Sequence, residues 1–236
     1  NMMEKIINGW QKQPGRLNIQ GEIEKAIEEL TNEKVELIAS GRTDSGVHSL
    51  GQVANFKTNS NLEIEKIPYA INSKLKKSIR IKKAEEVDEK FHARYNCKKK
   101  RYRYTINNSE QGSAIYRNLE YHVPKKLNIS KMKNAIKYIE GEHDFSSFKS
   151  SGTSSKSSVR VIYKAEIIED GEKIYIELTG NGFLYNMVRI IAGTLVEVGL
   201  GKIEPEEIKN IIEKKERILA GKTLPAHGLC LMEVQY

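Results

Sequence analysis

Apolar residues recur every three to four positions in several stretches of the chain, which is the spacing of a helix with one buried face. The predicted helices begin at Ile19, near Glu63, at Ser130 with this serine as the N-cap, near Phe183 and after Pro205. Residues 183–199 are apolar on nearly every face, so we expect that helix to be buried. Arg189 is its only charged residue before Glu197 and therefore needs an explanation.

Apolar and polar residues alternate in the segments between these helices, and this period of two predicts β-strands. The predicted strands are residues 35–40, 51–57, 78–87, 97–108, 159–168, 173–180 and 228–236. Short hairpin connections favour an α+β fold with largely antiparallel sheets, made of two related αβ subdomains. The turn-rich residues 107–113 mark the boundary, so the N-terminal subdomain is predicted at residues 1–107 and the C-terminal subdomain at residues 108–236.

The amino-acid composition indicates the kind of partner and the cellular compartment of the protein. Lys and Arg number 39 against 31 Asp and Glu, and the net charge of +8 favours a polyanionic partner, although a lysine-rich proteome would produce the same excess. The two cysteines, Cys97 and Cys230, form no CxxC motif and no His/Cys cluster, so we expect a reducing cytoplasm, no disulfide framework and no metal. The longest apolar segment is too short to span a bilayer and contains Arg189, so no membrane is expected.

The loop Ser-Gly-Arg-Thr-Asp-Ser-Gly-Val-His, residues 40–48, is unusually rich in ionisable side chains for a connection between two strands. Asp44 beside serine and glycine is typical of an Asx-turn, in which the carboxylate caps its own backbone. Arg42 and His48 favour the alternative, a loop that presents a catalytic carboxylate. His48 has no second ligand at a recognisable spacing, so a hydrogen-bonded structural histidine is favoured over a metal ligand.

Arg189 has two interpretations. An unpaired buried cation is very costly, so the side chain either snorkels to solvent at the edge of its helix or meets an anionic partner. Asp44 is a candidate for that partner, because a neighbouring cation keeps a carboxylate ionised.

Two segments have the composition of a nucleic-acid-binding surface. Tyr102 and Tyr104 alternate with Arg101 and Arg103, so an aromatic face lies back to back with a basic face on the predicted strand. The tyrosines either pack in the core or form a platform for a stacked base, and the arginine face favours the platform. The serine-rich, basic residues 146–160 are predicted to form a mobile loop that becomes ordered with RNA.

The chain contains five ordered blocks that closely resemble the tRNA pseudouridine synthase A family. They are GRTDSGVHSLGQVANF, FHARYNCKKKRYRY, GEHDFSSF, NGFLYNMVRIIAGTLVEVG and PAHGLCLMEV. The resemblance runs from about Gly9 to the C-terminus, and the first block is by itself a strong signal.

This resemblance implies a cytoplasmic homodimer that grips one tRNA with both subunits. It implies isomerisation of uridine to pseudouridine at positions 38, 39 and 40 of the anticodon stem-loop, without cofactor or metal. Asp44 is then the catalytic aspartate, in a cleft between the two subdomains, with Arg189 against it. The residues implied in substrate binding are Tyr102, which contacts the uracil, Arg42, which positions the loop and the RNA, His48 and Leu184.

The start of the chain departs from the family. Members normally open with a strand that carries Tyr-Asp-Gly shortly before Gly-Trp-Gln, whereas Gly9-Trp10-Gln11 here follows only NMMEKIIN. We expect that a stretch before Gly9 is absent from the printed sequence, and a purified chain of 26.9 kDa would contradict this.

Two rival functions stay open beside the isomerase. A non-catalytic RNA-binding protein accounts for the positive charge but not for Asp44 and Arg189 together. A phosphotransfer enzyme with an aspartyl nucleophile lacks a phosphate cradle and paired metal-binding carboxylates around Asp44. For the isomerase itself, the sequence leaves open whether Asp44 attacks C1′ of the ribose or removes the proton from C2′.

Overall fold

The computed structural model describes residues 7–12, 15–152 and 157–236. The helices are α1 (Ile19–Thr31), α2 (Ile67–Lys74), α3 (Ile129–Ile136), α4 (Met187–Gly199) and α5 (Glu207–Lys214). The strands are β1 (Ile38–Ala39), β2 (His48–Ser49), β3 (Ala54–Asn55), β4 (Lys99–Asn107), β5 (Tyr121–His122), β6 (Gly141–Asp144), β7 (Val159–Asp170), β8 (Lys173–Gly180) and β9 (Leu229–Gln235). The predicted α+β fold with largely antiparallel sheets is confirmed.

The chain forms two compact units. The first comprises Asn1–Gly46 and Gln52–Cys97, and the second comprises Val47–Gly51 and Lys98–Tyr236. The chain therefore passes between the units at Cys97, before β4, whereas turn composition predicted a boundary after Asn107. The division into subdomains 1–107 and 108–236 stays a prediction. Residues 1–6, where the sequence departs from the family, lie outside the described residues.

The first unit is organised around α1. Asn18 caps this helix, because its Oδ1 accepts from the backbone N–H of Gly21 at 2.8 Å, and Asn32 ends it in a left-handed conformation. The apolar stripe of α1 packs into a small core. The buried residues of that core are Trp10, Ile23, Ala26, Ile27, Leu37, Ile71, Leu75 and Ile79. The predicted strands at 35–40 and 51–57 are reduced to the two-residue antiparallel pair β1 and β3.

The predicted strand at residues 78–87 is wrong, because no strand is assigned there. The side chain of Asn72 takes the place of a neighbouring strand: it donates to the carbonyl of Ile81 at 2.8 Å and accepts from the N–H of Ile81 at 2.8 Å. Both backbone groups of Ile81 are thus satisfied by one amide, so the alternating pattern there does not require a sheet.

The second unit contains a sheet in the order β2-β9-β4-β8-β7-β6, with β5 beside β4. The pairs of β4 with β8, β4 with β9, β7 with β8 and β6 with β7 are antiparallel, and the predicted hairpin of β7 and β8 is present. One face of the sheet is buried together with α4, whose side chains are largely excluded from solvent as the sequence predicted. No helix among the described residues has both the length and the apolar character needed to cross a membrane.

Three predictions in the second unit need correction. The N-cap of α3 is Asn128, whose Oδ1 accepts from the N–H of Lys131 at 3.0 Å, and not Ser130. The buried helix α4 begins at Met187, later than predicted. Of the predicted loop at 146–160, Ser146–Phe148 form a turn of 3-10 helix and β7 begins at Val159, while residues 153–156 lie outside the described part of the chain.

Candidate active site

The loop that carries Asp44 belongs to the first unit, and hydrogen bonds hold the backbone that precedes the aspartate. The N–H of Trp10 donates to the carbonyl of Thr43 at 3.1 Å. Earlier in the loop, the side chain of Gln52 accepts from the hydroxyl of Ser40 at 2.6 Å and donates to the carbonyl of Gly41 at 2.7 Å. These bonds fix the path of the chain from Ser40 to Thr43.

Gly9 allows the close approach of the chain to this loop. Its φ is +69°, and a Cβ at this position would lie 2.6 Å from the carbonyl oxygen of Thr43. Arg42 lies exposed in the same loop. Asp44 and Arg42 thus lie in one loop of the first unit, and their roles stay predictions.

His48 lies at the start of β2, in the second unit. Its Nε2 is 2.7 Å from the carbonyl oxygen of Asn118 and donates to it. Strand β2 pairs in parallel with β9, with His48 opposite Cys230. His48 is thus a hydrogen-bonded histidine, which is the alternative that the sequence favours over a metal ligand. A contact of His48 with the substrate stays a prediction.

The two tyrosines of β4 differ in environment. Tyr104 is fully buried, and its hydroxyl donates to the carbonyl of Pro225 at 2.8 Å, so for this residue the core-packing interpretation is right. Burial raises the pKa of Tyr104 far above its ordinary value, while the positive charge of Arg189 acts in the opposite direction. Tyr102 is only partly buried, and its ring packs edge-on against Phe183 with 5.1 Å between centroids.

The arginine face of β4 does not form the open basic surface that the alternation suggested. The buried carboxylate of Glu177 on β8 binds Nη1 of Arg101 at 3.1 Å and Nε of Arg103 at 2.6 Å. Arg101 also pairs with Glu233 on β9 at 3.3 Å. Both guanidinium groups therefore bind carboxylates within the sheet. They are less available to bind nucleic acid than the alternation in the sequence suggested.

Arg189 lies in the first turn of α4, where protein oxygens bind its guanidinium. Its Nε donates to the carbonyl of Leu224 at 2.7 Å, and its Nη1 donates to Oδ1 of Asn186 at 2.7 Å. The backbone adds a third link, since the N–H of Leu224 donates to the carbonyl of Arg189 at 3.3 Å. The side chain is therefore oriented by the protein, in contrast to the flexible head of a snorkelling arginine.

The segment that contains Leu224 lies unusually close to α4. A Cβ on Gly193 would lie 1.9 Å from the carbonyl oxygen of Lys222, so only glycine allows this approach. Leu184, which precedes α4, is buried in the core of the second unit. Its contact with the substrate stays a prediction.

Sequence reasoning missed Asn186 and the segment Leu224–Pro225. The helix predicted from near Phe183 includes Asn186, so its position in the sequence indicates neither an N-cap nor a bond to the guanidinium of Arg189. The segment is a proline-containing turn far from Arg189 along the chain, and nothing in the local pattern links the two. Among the described residues, no three His, Cys, Asp or Glu side chains are arranged to hold a metal ion.

Comparison with known proteins gives extensive matches. Residues 8–96 and 135–236 match the family described as tRNA pseudouridine synthase. A protein of Acetivibrio thermocellus named tRNA pseudouridine synthase A is 53% identical over 229 residues, which cover 97% of this chain and 94% of that protein. Proteins of the same name from Caldicellulosiruptor bescii and Clostridium acetobutylicum are each 50% identical over 228 residues, covering 97% of this chain and 93% of theirs.

Proposed function

This chain belongs to the tRNA pseudouridine synthase family, and we propose that it isomerises uridine to pseudouridine at positions 38, 39 and 40 of the anticodon stem-loop. It is an isomerase that acts on tRNA. The observation that supports the proposal is a similarity that extends over nearly the whole chain, including the loop of Asp44. We further propose a cytoplasmic homodimer that needs neither cofactor nor metal.

The proposed reaction rearranges one nucleotide without any co-substrate. The bond between N1 of uracil and C1′ of the ribose breaks, the uracil rotates, and C5 bonds to C1′. C5 loses its proton and N1 gains one, so that product and substrate have the same atoms. The base has to leave the helical stack for this rotation, which costs a few kcal/mol of stacking and pairing in general.

We assign the carboxylate chemistry to Asp44. It either attacks C1′ and forms a covalent intermediate or removes the proton from C2′, and both routes need an ionised carboxylate. The bonds to Thr43 and Gly41 support this role, because they hold the backbone that leads to Asp44 in a fixed path. Arg42, in the same loop, is proposed to bind the RNA.

We also propose a catalytic role for Arg189 and contacts with the substrate for Tyr102, His48 and Leu184. Arg189 provides positive charge for the anionic groups of the reaction, and its guanidinium is already oriented by two protein acceptors. Tyr102 provides a ring on which uracil can stack, and its packing on Phe183 restricts the orientation of that ring.

A tritium-release assay tests the proposed function. With tRNA labelled at C5 of uracil, we expect the protein to release tritium, since only replacement of the C5 hydrogen frees it. A non-catalytic RNA-binding protein and a phosphotransfer enzyme would both leave the label in place. Substrates with uridine at only one of positions 38, 39 and 40 then test the positions, and turnover restricted to uridines elsewhere would contradict that part of the proposal.

Binding of tRNA should weaken steeply with salt. With a net charge of +8, the protein is expected to neutralise several phosphates and release their counterions. Two or more phosphate contacts would raise the dissociation constant at least about tenfold between about 50 and 200 mM salt. Fluorescence anisotropy with a labelled anticodon stem-loop measures this, with Asp44→Asn expected to show the same slope. A dissociation constant that is independent of salt would contradict binding through phosphates.

Tyr102→Phe should keep tRNA binding, because the stacking face of the ring is retained. Tyr102→Ala should lose about 1–3 kcal/mol of stacking with the target base. Tyr175→Ala is the matched control, since Tyr175 lies on the opposite face of the same sheet, where its ring contacts Arg103. Equal turnover by the Phe and Ala variants of Tyr102 would show that the ring does not hold the uracil.

A further inference from the structure

Asn186, the residue before α4, has an unusual conformation for its position. Its φ of 62° and ψ of 6° lie in the left-handed region, and its side chain makes no capping hydrogen bond to the helix. An N-cap residue normally has extended dihedral angles, and its side chain accepts a bond from an N–H in the first turn. Asn186 therefore has the residue type of a good N-cap without performing that function.

The carboxamide of Asn186 binds two side chains instead. Its Oδ1 accepts from Nη1 of Arg189 at 2.7 Å, and its Nδ2 donates to Oγ of Ser150 at 3.0 Å. Ser150 is itself tied to this region, because its N–H donates to the carbonyl of Tyr185 at 3.1 Å. Both ends of the amide are thus engaged, which fixes the rotation of its plane and the direction of Oδ1.

The start of α4 has three unusual features. The left-handed region is disfavoured for residues other than glycine, although asparagine tolerates it better than most, and the side chain of Asn186 does not cap the helix. The positive end of the helix dipole also disfavours a cation in the first turn, which is where Arg189 lies. Such features cluster at sites where function contributes to the geometry.

These contacts orient the guanidinium of Arg189. Leu224 accepts from Nε of Arg189 and Asn186 accepts from Nη1, so two acceptors from different segments restrain a rigid, planar group. The loss of the bond to Asn186 would remove one of these restraints on the guanidinium. Misplacement of a catalytic group by about 1 Å can reduce turnover by about a hundredfold.

We propose that Asn186 is a positioning residue for Arg189: its left-handed conformation turns the amide away from the helix and directs Oδ1 at the guanidinium. The inference rests on the proposed function, in which Arg189 supplies positive charge to the reaction. Ser150 acts behind it by holding the other end of the amide.

Asn186→Gly separates positioning from structure. Glycine adopts the left-handed conformation without strain but loses the side-chain bonds to Arg189 and Ser150, so we expect a folded protein whose melting temperature is equal to or below that of the wild type. We expect kcat to fall by about ten- to a hundredfold, with KM and the dissociation constant of tRNA within about twofold of the wild type. A merely structural asparagine would instead leave kcat unchanged, and a kcat within twofold of the wild type would overturn the proposal.

Asn32→Gly is the matched control. Asn32 is also an asparagine in the left-handed region, with φ of 57°, but it lies at the end of α1 in the first unit. The same substitution there should also give a folded protein and leave kcat unchanged.

A double-mutant cycle tests whether Asn186 affects turnover through Arg189. If Asn186 acts through Arg189, Asn186→Gly should reduce kcat much less in an Arg189→Lys background than in the wild type. Equal reductions in both backgrounds would overturn the proposal.

Failure of the proposed function has a different signature. Absence of tritium release by the wild-type protein would disprove the activity, and a fully active Arg189→Met would disprove the role of Arg189. An active wild type, an inactive Arg189→Met and an unaffected Asn186→Gly would together disprove the positioning role alone.

Discussion

Asp44→Asn should fold, bind tRNA and lose pseudouridine formation by at least about a thousandfold. Asparagine forms the same turns as aspartate and tolerates the same backbone conformations, but it carries no negative charge and is a very weak nucleophile and base. The loop should keep its path, because the bonds to the backbone of Thr43 and Gly41 do not involve the carboxylate. Pseudouridine formed on an anticodon stem-loop measures the rate, and thermal melting checks the fold.

Asp88→Asn is the matched control for this experiment. Asp88 lies in the same unit and forms a true Asx-turn, in which its Oδ1 accepts from the N–H of Lys90 at 2.8 Å. If Asp44 were only a turn residue, the two substitutions would have similarly small effects. A well-folded Asp44→Asn protein with a rate near that of the wild type would remove the catalytic assignment.

Arg189→Met is expected to have the second largest effect, a loss of about a hundred- to a thousandfold in kcat, as for the removal of one oriented charge-stabilising donor from an active site. Methionine can pack on the apolar helix, so the protein should still fold. The carbonyl of Leu224 loses its donor, however, and a buried acceptor left without a partner costs about 1–3 kcal/mol. We therefore expect a lower melting temperature as well as a lower rate.

Two further variants separate the contributions of charge and stability. Arg189→Lys keeps the charge but cannot bind Leu224 and Asn186 with the same planar geometry, so it should retain more activity than Arg189→Met and less than the wild type. Arg80→Met is the matched control for stability, since Arg80 lies in the first unit and donates to the carbonyls of Lys76 and Ile79 at 2.7 Å. It should lower the melting temperature without lowering kcat. Equal activity of Arg189→Met and wild type would contradict a catalytic role.

Local patterns in the sequence predicted the elements whose conformation depends on residues close together in the chain. The helix α1 has its apolar stripe and its N-cap within one segment, and α4 is apolar on nearly all sides, so both could be predicted. The hairpin of β7 and β8 follows from two alternating runs around a glycine turn. The loop of Asp44 was equally visible, because its ionisable residues are adjacent in the chain.

Tertiary structure decided the features that depend on partners far away in the chain. Residues 78–87 alternate like a strand, but no strand is assigned there, and the amide of Asn72 binds both backbone groups of Ile81. Arg101 and Arg103 form a basic face in the sequence, yet the carboxylate of Glu177 from another strand binds both guanidinium groups. In each case one side chain from a distant segment satisfies groups that a local pattern cannot assign.

The surroundings of Arg189 combine a feature that the sequence predicted with contacts that it did not. Its isolation in an apolar helix indicated from the sequence alone that the charge needs a partner, because an unpaired cation in such surroundings is costly. The acceptors that orient it could not be found in this way. Leu224 approaches from a segment 35 residues further along the chain, and Asn186 turns its amide to the guanidinium only because its backbone adopts a left-handed conformation. Hydrophobic periodicity records which face of an element is buried, whereas the direction of a single polar group depends on backbone angles and on contacts that form only in the folded chain.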